Sequence, residues 1–507
     1  MSFLLVSDRP ALPLPPIFDR VRAICPPGLP IWLIGGAVRD ALLNRPIHDL
    51  DFAVQGNALR ALGLARQVAD QLQGAFYALD AERGAGRVVW PGRPGYAGRA
   101  FVLDFANLRG PDLLADLQGR DFTVNALAVS LHDPERLIDP LGGQADLRAR
   151  VIKVCSPTAF LDDPVRTLRA IRLAAQFDFR LERETRKLAR IAAPGLARAS
   201  AERIRDEFVR ILGGRKPASA VSVLERLGLL HVILPELEPL KGVTQSAPHT
   251  LDVWGHTLSV LDRLPVLYSI LGEFHDPEAS ADLMTGLAAM KLGRYRKALN
   301  EHLDSVLAGE RPARWLLNLA ALLHDVRKPQ TRSTDADGRI RFFGHDEQGG
   351  ELTYDLAMRL RLSADEALHL KTIVRHHMRP LLLMPQGQPS RRSIYRYFRD
   401  TGEAGVDIGL LSLADMLGTY GVTLPQKVWL QMLDVVAALF EARFRQAERV
   451  VAPPRLLTGD DLMAEFQLQS GPLIGELLEA IREAQAAGDV SARAEALELV
   501  RQRLSSR

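Results

Sequence analysis

The chain has 507 residues, which is too long for one hydrophobic core at about 100–200 residues per domain and predicts several domains. Its 47% apolar and 25% charged residues are typical of a globular protein in water. Strongly apolar stretches such as residues 315–323 are much shorter than the ~20 residues of a membrane-spanning helix. The start of the chain has no basic segment or small-residue cleavage site of a secretory signal. The two cysteines, Cys25 and Cys155, are too few for a disulfide framework or a cysteine metal site, so we expect a cytoplasmic protein without a membrane partner.

The charge of the chain is small overall but unevenly placed. The net charge of +3 excludes a polycation, yet residues 148–216 contain 17 Lys and Arg against 8 Asp and Glu. A basic stripe of this kind can follow a phosphate backbone. It can equally be a solvated helical face, and charge alone leaves both interpretations open.

Hydrophobic patterning divides the chain into an α/β part and a helical part. Short β-branched or aromatic runs, separated by Gly and Pro, predict strands at residues 31–34, 50–54, 87–90 and 101–105. Residues 90–99 are predicted to form a mobile loop between two of these strands. After about Ser156 the helical period runs to the end, with breaks at 213–214, 235–248, 335–350 and 453–459. We therefore predict four domains, at residues 1–155, 156–235, 236–450 and 451–507.

The first strands carry the residues of a candidate nucleotide site. The turn Gly35-Gly36 lets backbone amides approach a triphosphate closely, and Arg39 is placed to meet phosphate oxygens. Asp49 and Asp51 are two apart on a predicted strand, so both side chains point to the same face. Two adjacent carboxylates favour a hard cation such as Mg²⁺, which can assist the attack of a 3′-hydroxyl on a triphosphate.

Three further motifs follow in order. Asp104 lies on a neighbouring predicted strand and is the natural third carboxylate. Residues 119–126 read Gly-Arg-Asp-Phe-Thr-Val-Asn-Ala, and residues 139–147 read Asp-Pro-Leu-Gly-Gly-Gln-Ala-Asp-Leu. Together with residues 35–40 and the Asp49/Asp51 pair, this series resembles the class II tRNA nucleotidyltransferase and bacterial poly(A) polymerase family of the polymerase-beta-like superfamily.

The resemblance implies both a fold and a set of binding residues. It implies an α+β head with a mixed or antiparallel sheet, followed by all-α neck, HD and tail domains. It also implies nucleotide binding by Arg120, Asp121 and Asn125. Gly119 stands where the family has an arginine, which removes one possible ribose or phosphate contact.

A predicted helix after Phe160 carries a candidate template for the base. Asp162 suits its N-cap and Pro164 its first turn. Asp163 and Arg166 are three apart and should emerge on one helix face, where they can form a surface ion pair or bind a base edge. The resemblance implies that these two residues, with Arg169 on the same helix, select CTP and ATP.

Nine of the twelve histidines lie between residues 249 and 377. Imidazoles and carboxylates from separate helices are what a divalent metal site needs. The set resembles the HD phosphohydrolase superfamily, which implies a transition metal or Mg²⁺ held by core ligands and a second-metal set: His256, His324, Asp325 and Asp415, then His345 with His376 or His377. Lys328 and Arg332 could hold a phosphate there, although related domains can also be scaffolds.

The resemblance predicts an enzyme that extends RNA 3′ ends without a nucleic-acid template. CCA addition to tRNA from CTP and ATP ranks first, and A-only addition, CC-only addition or poly(A) synthesis ranks second. The loop around residues 80–99 favours an enzyme able to use ATP. The helical tail after about residue 451 is predicted to bind RNA. A phosphohydrolase whose head binds nucleotide or RNA is the alternative of another class.

Overall fold

The computed structural model describes residues 12–91, 100–272, 282–309 and 311–506. Its internal contacts divide the chain into two compact units. Unit 1 consists of Met1–Ala199 with Leu227–Leu229, and unit 2 consists of Ser200–Arg226 with Leu230–Arg507. Among the described residues, no helix is both long and apolar enough to cross a bilayer. Most of the predicted 90–99 loop lies outside the described residues.

Unit 1 is built on a seven-stranded sheet with the strand order β3-β4-β5-β2-β1-β6-β7. Strands β2 and β5 are parallel, and the other neighbouring pairs of this sheet are antiparallel. The mixed sheet confirms the predicted α+β head. The strands are β1 Ile31–Ile34, β2 Asp49–Val54, β3 Ala75–Asp80, β4 Ala85–Trp90, β5 Phe101–Asn107, β6 Ala128–Ser130 and β7 Leu137–Ile138.

Helices and a small additional sheet complete unit 1. Strands β8 Val151–Ile152 and β9 Arg180–Leu181 form a short parallel pair. Helix α3 packs on β4 and β5 through its buried apolar face and begins after Asn57, whose side chain accepts a hydrogen bond from the amide of Arg60. The α-helices are α1 Ile17–Ile24, α2 Gly36–Leu42, α3 Ala58–Leu72, α4 Leu113–Gln118, α5 Gly143–Ala149, α6 Ala159–Asp162, α7 Arg166–Phe177 and α8 Arg183–Ala192.

The strand predictions were correct where hydrophobic runs were long and incomplete elsewhere. The predicted strand at residues 31–34 is β1, and the other three predicted runs lie within β2, β4 and β5. Strand β3 was missed because it lies at the sheet edge and exposes most of its residues, so it has no alternating pattern. Strands β6 and β7 are too short to show a period.

Unit 2 is helical, apart from two short hairpins that the sequence did not predict. These are formed by β10 Val306–Ala308 with β11 Arg311–Pro312, and by β12 Arg332–Thr334 with β13 Ile340–Phe342. The first helices are α9 Ala201–Leu212, α10 Pro217–Arg226, α11 Leu229–Ile233, α12 Val253–Leu271, α13 Leu283–Leu292, α14 Arg296–Asp304, α15 Ala313–Leu323 and α16 Lys328–Thr331. They are followed by α17 His345–Arg359, α18 Ala364–His376, α19 Arg379–Leu383, α20 Arg391–Thr401, α21 Ala404–Tyr420, α22 Gln426–Arg445, α23 Gly459–Phe466, α24 Pro472–Ala487 and α25 Arg493–Ser505.

Two helices form the centre of unit 2. Every residue of α15 except Arg314 is buried, and α21 is buried over most of its length. Both are apolar on nearly all sides, which is the pattern of a helix surrounded by other helices. Helix α12 packs against both of them, and α18 also contacts both. The last helices, α23 to α25, bury a hydrophobic cluster of their own around Leu462, Leu477 and Ile481.

Candidate functional site

Three acidic residues predicted for catalysis lie together on one face of the sheet in unit 1. The parallel register of β2 and β5 pairs Asp51 with Asp104, so their side chains share a face. Asp49 lies two positions before Asp51 and points the same way, while Leu50 and Phe52 between and after them are buried. The alternation of β2 therefore exposes both carboxylates, as the sequence predicted.

A basic residue that the sequence analysis missed completes this row. Strand β4 pairs Arg87 with Asp104, and the guanidinium donates two hydrogen bonds to the two carboxylate oxygens, from Nε to Oδ1 and from Nη2 to Oδ2, each at 2.8 Å. This is a bidentate pair, the strongest geometry between these groups. The pairing could be found only from the register of β4 and β5.

The glycine turn comes close to the same carboxylates. Gly35 has φ of +76°, a conformation that side chains rarely adopt, and a Cβ at this position would lie 3.0 Å from Arg120 Nη1 and 3.9 Å from Asp51 Oδ2. Gly36 begins α2 directly after the turn. The turn therefore keeps open the space next to Asp51 and Arg120, as a close approach to phosphate requires.

The charges around Asp51 favour a bound cation. Desolvation by the surrounding protein raises the pKa of Asp51 most, although the side chain still reaches solvent. The charges of Asp104 and Asp49 raise this pKa further, whereas Arg120 and Arg87 lower it. A divalent ion would relieve the same repulsion, so the residues fit one.

Arg39 contacts protein partners, and its role in meeting phosphate oxygens stays a prediction. Its guanidinium donates from Nε and Nη2 to the carboxylate of Asp40, each at 2.9 Å, and from Nη1 to Asn125 Oδ1 at 2.6 Å. It also lies over the ring of Phe177, 4.5 Å from the centroid, and is buried. These contacts make Arg39 a residue that holds the base of α2.

Asn125 continues this network toward Arg169 on α7. Its side-chain amide donates to Asp121 Oδ1 at 3.1 Å, and Arg169 Nη2 lies 2.9 Å from Asp121 Oδ2. Asp121 and Asn125 are both buried. The three predicted nucleotide-binding residues Asp121, Asn125 and Arg169 are thus brought together, with one another as their partners.

Arg120 is aimed by an acidic residue that the sequence analysis missed. Asp116 is 2% exposed, and its Oδ2 accepts from Arg120 Nε at 3.2 Å and Nη2 at 3.1 Å. Its Oδ1 accepts the amide of Arg109 at 3.0 Å. The third nitrogen of the Arg120 guanidinium, Nη1, is not bound by Asp116 and faces Gly35 and Asp51. The spacing of four residues was the only sequence signal for this pair.

The predicted arrangement of Asp163 and Arg166 on one helix face is wrong. Helix α6 ends at Asp162, and Asp163 follows it in an extended conformation with φ of −145°. Pro164 disfavours a helical conformation at Asp163, and α7 begins only at Arg166. Asp162 does not cap a helix, since its carboxylate accepts from Thr158 Oγ1 at 2.9 Å.

Asp163 and Arg166, which were predicted to select the base, nevertheless have defined contacts. Asp163 Oδ1 accepts the amide of Val165 at 3.2 Å. Arg166 Nη2 donates to the carbonyl oxygen of Gly119 at 3.0 Å. The backbone before Arg120 therefore sets the direction of the Arg166 guanidinium.

In unit 2, the histidines and carboxylates form two adjacent groups with metal-ligand spacing. His256, His324 and Asp415 form one group, and Asp325, His345 and His377 form the other. Within each group, one candidate ligand atom from each residue lies within 4.8 Å of the others. Of the adjacent pair His376 and His377, the cluster takes His377, while His376 is half-buried outside it. The sequence analysis offered His376 or His377 as a ligand, and the structure selects His377.

Asp325 joins the two groups. Its Oδ2 lies 3.2 Å from His324 Nε2, and its Oδ1 lies 3.4 Å from His345 Nε2. Lys328, which the sequence analysis offered as a phosphate ligand, is buried and lies 2.7 Å from Oδ2 as an ion pair. Both oxygens of this buried carboxylate are thus in contact with cluster residues or with Lys328. Arg332 lies on strand β12 and is exposed.

The imidazoles are oriented as metal-binding imidazoles usually are. The Nδ1 atoms of His324, His345 and His377 lie 2.8, 2.6 and 2.7 Å from backbone carbonyl oxygens, so each Nε2 can be left as an acceptor. The buried Nε2 atoms of His256 and His324 lie 3.1 Å from Asp415 Oδ1 and 3.2 Å from Asp325 Oδ2. Imidazole nitrogens that converge with carboxylate oxygens in this way form a donor set that fits divalent ions.

The pKa shifts in the cluster differ between its members, since burial opposes but Asp325 raises the pKa of His324, whereas burial lowers the pKa of His377. Burial lowers the pKa of His377 to about 4, and the neighbouring His345 and His324 add to the effect, so the ring is neutral near pH 7. Burial by itself would raise the pKa of Asp325, but His324 and Lys328 hold it well below its usual range. His249, which was not predicted, lies with its ring centroid 5.1 Å from that of His256, and burial lowers its pKa to about 4.

Comparison with known families agrees with the fold and motifs of unit 1. The family model "Poly A polymerase head domain" matches residues 31–90 and 98–153. The model "Probable RNA and SrmB- binding site of polymerase A" matches residues 178–241, and a model of tRNA nucleotidyltransferase domain 2 matches residues 449–500. The chain also resembles a solved CCA-adding enzyme in complex with CTP, with a TM-score of 0.62 and 21% identity over 97% of this chain and 96% of that one. At that identity the likeness supports the fold.

Whole-length relatives identify the family. The A-adding tRNA nucleotidyltransferase of Deinococcus radiodurans is 35% identical over 490 residues, which cover 96% of this chain and 95% of the relative. The CC-adding tRNA nucleotidyltransferase of Thermus thermophilus is 34% identical over 91% of each chain. The multifunctional CCA protein of Verminephrobacter eiseniae is 36% identical, over 68% of this chain and 74% of its own. The resemblance drawn from the motifs is therefore confirmed, and the chain belongs to the tRNA nucleotidyltransferase family.

Proposed function

We propose that this protein adds all or part of the CCA sequence to tRNA 3′ ends, using CTP and ATP and releasing pyrophosphate. The observation that carries the proposal is the row of Asp49, Asp51 and Asp104 on one exposed face, next to the open glycine turn at Gly35. Such a row beside a glycine turn that carries no side chain is suited to transfer of a nucleotidyl group.

The proposed roles follow from the contacts. Asp49 and Asp51 would hold a divalent ion, with Mg²⁺ as the expected metal, and that ion would neutralise the triphosphate and assist the attacking hydroxyl. The turn at Gly35 admits the phosphates, and Arg120, aimed by Asp116, donates to them or to the ribose. Asp104 is held by Arg87 beside this pair.

Asp163 and Arg166 are proposed to select the base. A carboxylate accepts from the exocyclic amine that cytosine and adenine share, and a guanidinium donates to a ring nitrogen or carbonyl. Arg166 is supported in this role by its hydrogen bonds to the carbonyl oxygens of Gly119 at 3.0 Å and Arg120 at 3.5 Å, which orient the guanidinium. Uracil and guanine lack that amine at the same position, so the carboxylate would lose its hydrogen-bond donor and these bases would bind less well.

The nucleotides added are a separate question. CCA addition is the leading proposal, with CTP and ATP used in turn. Partial addition is the second candidate, because the relatives that span nearly the whole chain are named A-adding and CC-adding, while the CCA protein spans 68% of it. Poly(A) synthesis stays a less favoured alternative.

A single assay tests these alternatives. Purified protein with Mg²⁺ is offered tRNA transcripts that end before CCA, after C and after CC, each with CTP, ATP or both. Completion of CCA on the shortest transcript supports the leading proposal, extension of the CC-ended transcript alone indicates A addition, and arrest at CC indicates C addition. Asp49→Asn should lose all incorporation, whereas Asp70→Asn on the outer face of α3 should keep it. No incorporation by the unmodified protein overturns the transferase proposal.

A second activity is proposed for the histidine cluster of unit 2. Its two groups of ligands, joined by Asp325, are suited to a pair of divalent ions that activate water toward a terminal or cyclic phosphate. The support is that each group brings three ligand atoms within 4.8 Å of one another and that five of the six residues are buried. The ions could be transition metals or Mg²⁺.

Metal content and hydrolysis test this second activity. Metals per chain are measured after dialysis for the unmodified protein, for Asp325→Asn and for Asp346→Asn, a neighbouring carboxylate outside the cluster. We expect loss of metal and of phosphomonoester or 2′,3′-cyclic nucleotide hydrolysis in Asp325→Asn alone. Bound metal without hydrolysis would indicate a structural centre, and absence of metal from the unmodified protein would contradict the proposal.

The domain division is also a proposal. It places the transferase head at residues 1–155, a base-selecting and RNA-binding neck at 156–235, the HD domain at 236–450 and an RNA-binding tail at 451–507. The matched family models at 31–153, 178–241 and 449–500 support the head, neck and tail segments. A cytoplasmic location is also proposed, because the relatives are named as tRNA nucleotidyltransferases.

A further inference from the structure

The bidentate pair between Arg87 and Asp104 lies inside the proposed transferase site. Nε and Nη2 of Arg87 reach the two different oxygens of Asp104 at 2.8 Å. The Arg87 side chain is 42% exposed and that of Asp104 is 27% exposed, so the pair faces solvent on the same sheet face as Asp51. An arginine that can be reached by a substrate thus holds one of the three carboxylates.

The other two carboxylates are in a different state. No cationic side chain of the described residues lies within ion-pair distance of Asp49 or Asp51. The row across β4, β5 and β2 therefore runs cation, anion, anion, and Arg120, whose charge also acts on Asp51, forms no ion pair with it. A divalent ion at Asp49 and Asp51 meets two free carboxylates, whereas a second ion at Asp104 would have to compete with the guanidinium.

This competition has a physical basis. A carboxylate has about four lone-pair sites, and a bidentate guanidinium takes one on each oxygen. A divalent ion placed on the remaining sites would lie within a few ångströms of a permanent positive charge, and repulsion at that distance is strong in a partly desolvated cleft. An incoming triphosphate changes the balance, since it offers Arg87 new anionic oxygens.

We infer that Arg87 is a built-in counter-ion of the transferase site: it holds Asp104 in the nucleotide-free enzyme and releases it to a second divalent ion when the triphosphate arrives. This inference rests on the proposed function of the same site. The exchange makes the second ion dependent on nucleotide, so that the full set of charges for transfer assembles only with substrate present. Arg87 then becomes a phosphate ligand through the edge that it withdraws from Asp104.

The test counts divalent ions in the absence of nucleotide. Full-length protein is titrated with Mn²⁺, and bound ions are measured by electron paramagnetic resonance for the unmodified chain, R87Q and the double variant R87Q/D104N. Ions in the histidine cluster of unit 2 contribute equally to all three. We expect R87Q to bind one ion more per chain than the unmodified protein, or to bind its weakest transferase-site ion at least about tenfold more tightly, because Asp104 is no longer neutralised. The gain should vanish in R87Q/D104N.

Matched variants separate this effect from general ones. R83Q removes an arginine from the same hairpin, where the side chain is 88% exposed, and should bind as many ions as the unmodified protein. R87K keeps the charge but cannot form the two-point fork, so its gain should fall between those of the unmodified protein and R87Q. Should R87Q lose stability in chelator, saturable recovery of its Tm on adding Mn²⁺ serves as the second readout, and R87Q/D104N should show no such recovery.

The outcomes of the two proposals are distinguishable. Equal ion counts in the unmodified protein and R87Q, with no added Tm recovery, overturn the role of Arg87, even when tRNA extension proceeds normally. An extra ion in R87Q that persists in R87Q/D104N also overturns it, because the ion then does not use Asp104. Absence of tRNA extension by the unmodified protein removes the proposed function but leaves the ion count to decide the exchange.

Discussion

Arg166 donates a hydrogen bond of 3.0 Å to the carbonyl oxygen of Gly119, so the start of α7 is tied to the end of α4. Gly119 has φ of −74° and ends α4, a conformation open to any residue. A Cβ there would meet the carbonyl oxygens of Ala115 and Asp116 at 3.5 Å, which is ordinary contact. The contact with Arg166 uses the backbone alone and does not need a side chain at position 119.

An added methyl group should impair nucleotide binding at position 35 but have almost no effect at position 119. Gly35→Ala should raise the KM for nucleotide by about tenfold or more, because its positive φ and the 3.0 Å approach of Arg120 Nη1 leave no room for a Cβ. Gly119→Ala should leave KM and Tm nearly unchanged. Steady-state kinetics and thermal unfolding of both variants test this, and equal effects would show that the turn at Gly35 is not the nucleotide cradle.

Asp116→Asn should weaken nucleotide binding by misdirecting Arg120. The buried carboxylate fixes two nitrogens of the guanidinium, and its loss leaves Arg120 without its anchor, so KM should rise about tenfold with a smaller change in kcat. Asp112→Asn is the matched control, since Asp112 caps the same helix from an exposed position by accepting the amide of Ala115. A similar rise of KM in both would assign the effect to the helix and not to Arg120.

A buried aspartate between two histidines should make unit 2 pH-sensitive. Asp407 Oδ2 lies 3.0 Å from His302 Nε2 and 2.8 Å from His369 Nε2, which joins α21 to α14 and α18. Burial alone would lower the pKa of His302, but the charge and hydrogen bond of Asp407 raise it above the usual value, with Glu403 raising it further and Arg443 opposing. The pKa of Asp407 is lowered well below its usual range, so this carboxylate stays charged near neutral pH.

The sign of the pH dependence follows from the raised pKa. Protonated His302 stabilises the fold fully below its unfolded pKa of about 6.5, and this contribution is lost as the pH rises through the higher folded value. His302→Gln should therefore lower Tm most near pH 6, with a smaller difference from the unmodified protein toward pH 9. Thermal unfolding over this range, with His132→Gln as a control in unit 1, checks it. A difference that grows with pH would contradict the assignment.

The tail should dock on α20 through salt-sensitive contacts. Glu483 on α24 lies 3.2 Å from Arg392 and 2.5 Å from Arg396, and Arg392 also lies 2.7 Å from Asp489. The arginine side chains are about half exposed, 47% and 53%, so the pairs contribute about 0.2–1 kcal/mol each and are screened by salt. The large apolar residues of the tail form their own cluster, which leaves charge as a main contributor to this contact.

Limited proteolysis measures this docking. Glu483→Gln should speed cleavage near the start of the tail at low ionic strength, and the difference from the unmodified protein should shrink in 1 M salt. Glu498→Gln removes a comparable carboxylate that pairs with Arg501 inside the tail and should cleave like the unmodified protein. Faster cleavage of both variants, or a difference independent of salt, would rule out docking by these ion pairs.

The sequence by itself determined the local parts of the transferase site. Alternation along one strand places Asp49 and Asp51 on the same face, and consecutive glycines allow the turn at Gly35. The order of motifs along the chain identified the family, and the crowding of histidines and carboxylates between residues 249 and 415 indicated the second cluster. These features depend on neighbours in the chain, which a sequence displays directly.

The tertiary structure decided which distant residues meet. Strand pairing across the sheet placed Asp104 next to Asp51 on one side and next to Arg87 on the other. The sequence could not show this, because register between strands is a long-range property. Consecutive helical residues point about 100° apart, so only packing could choose His377 over His376 for the cluster. Packing likewise turned Arg39 inward to Asp40 and Asn125, since a guanidinium is placed by the partners that surround it in the folded chain.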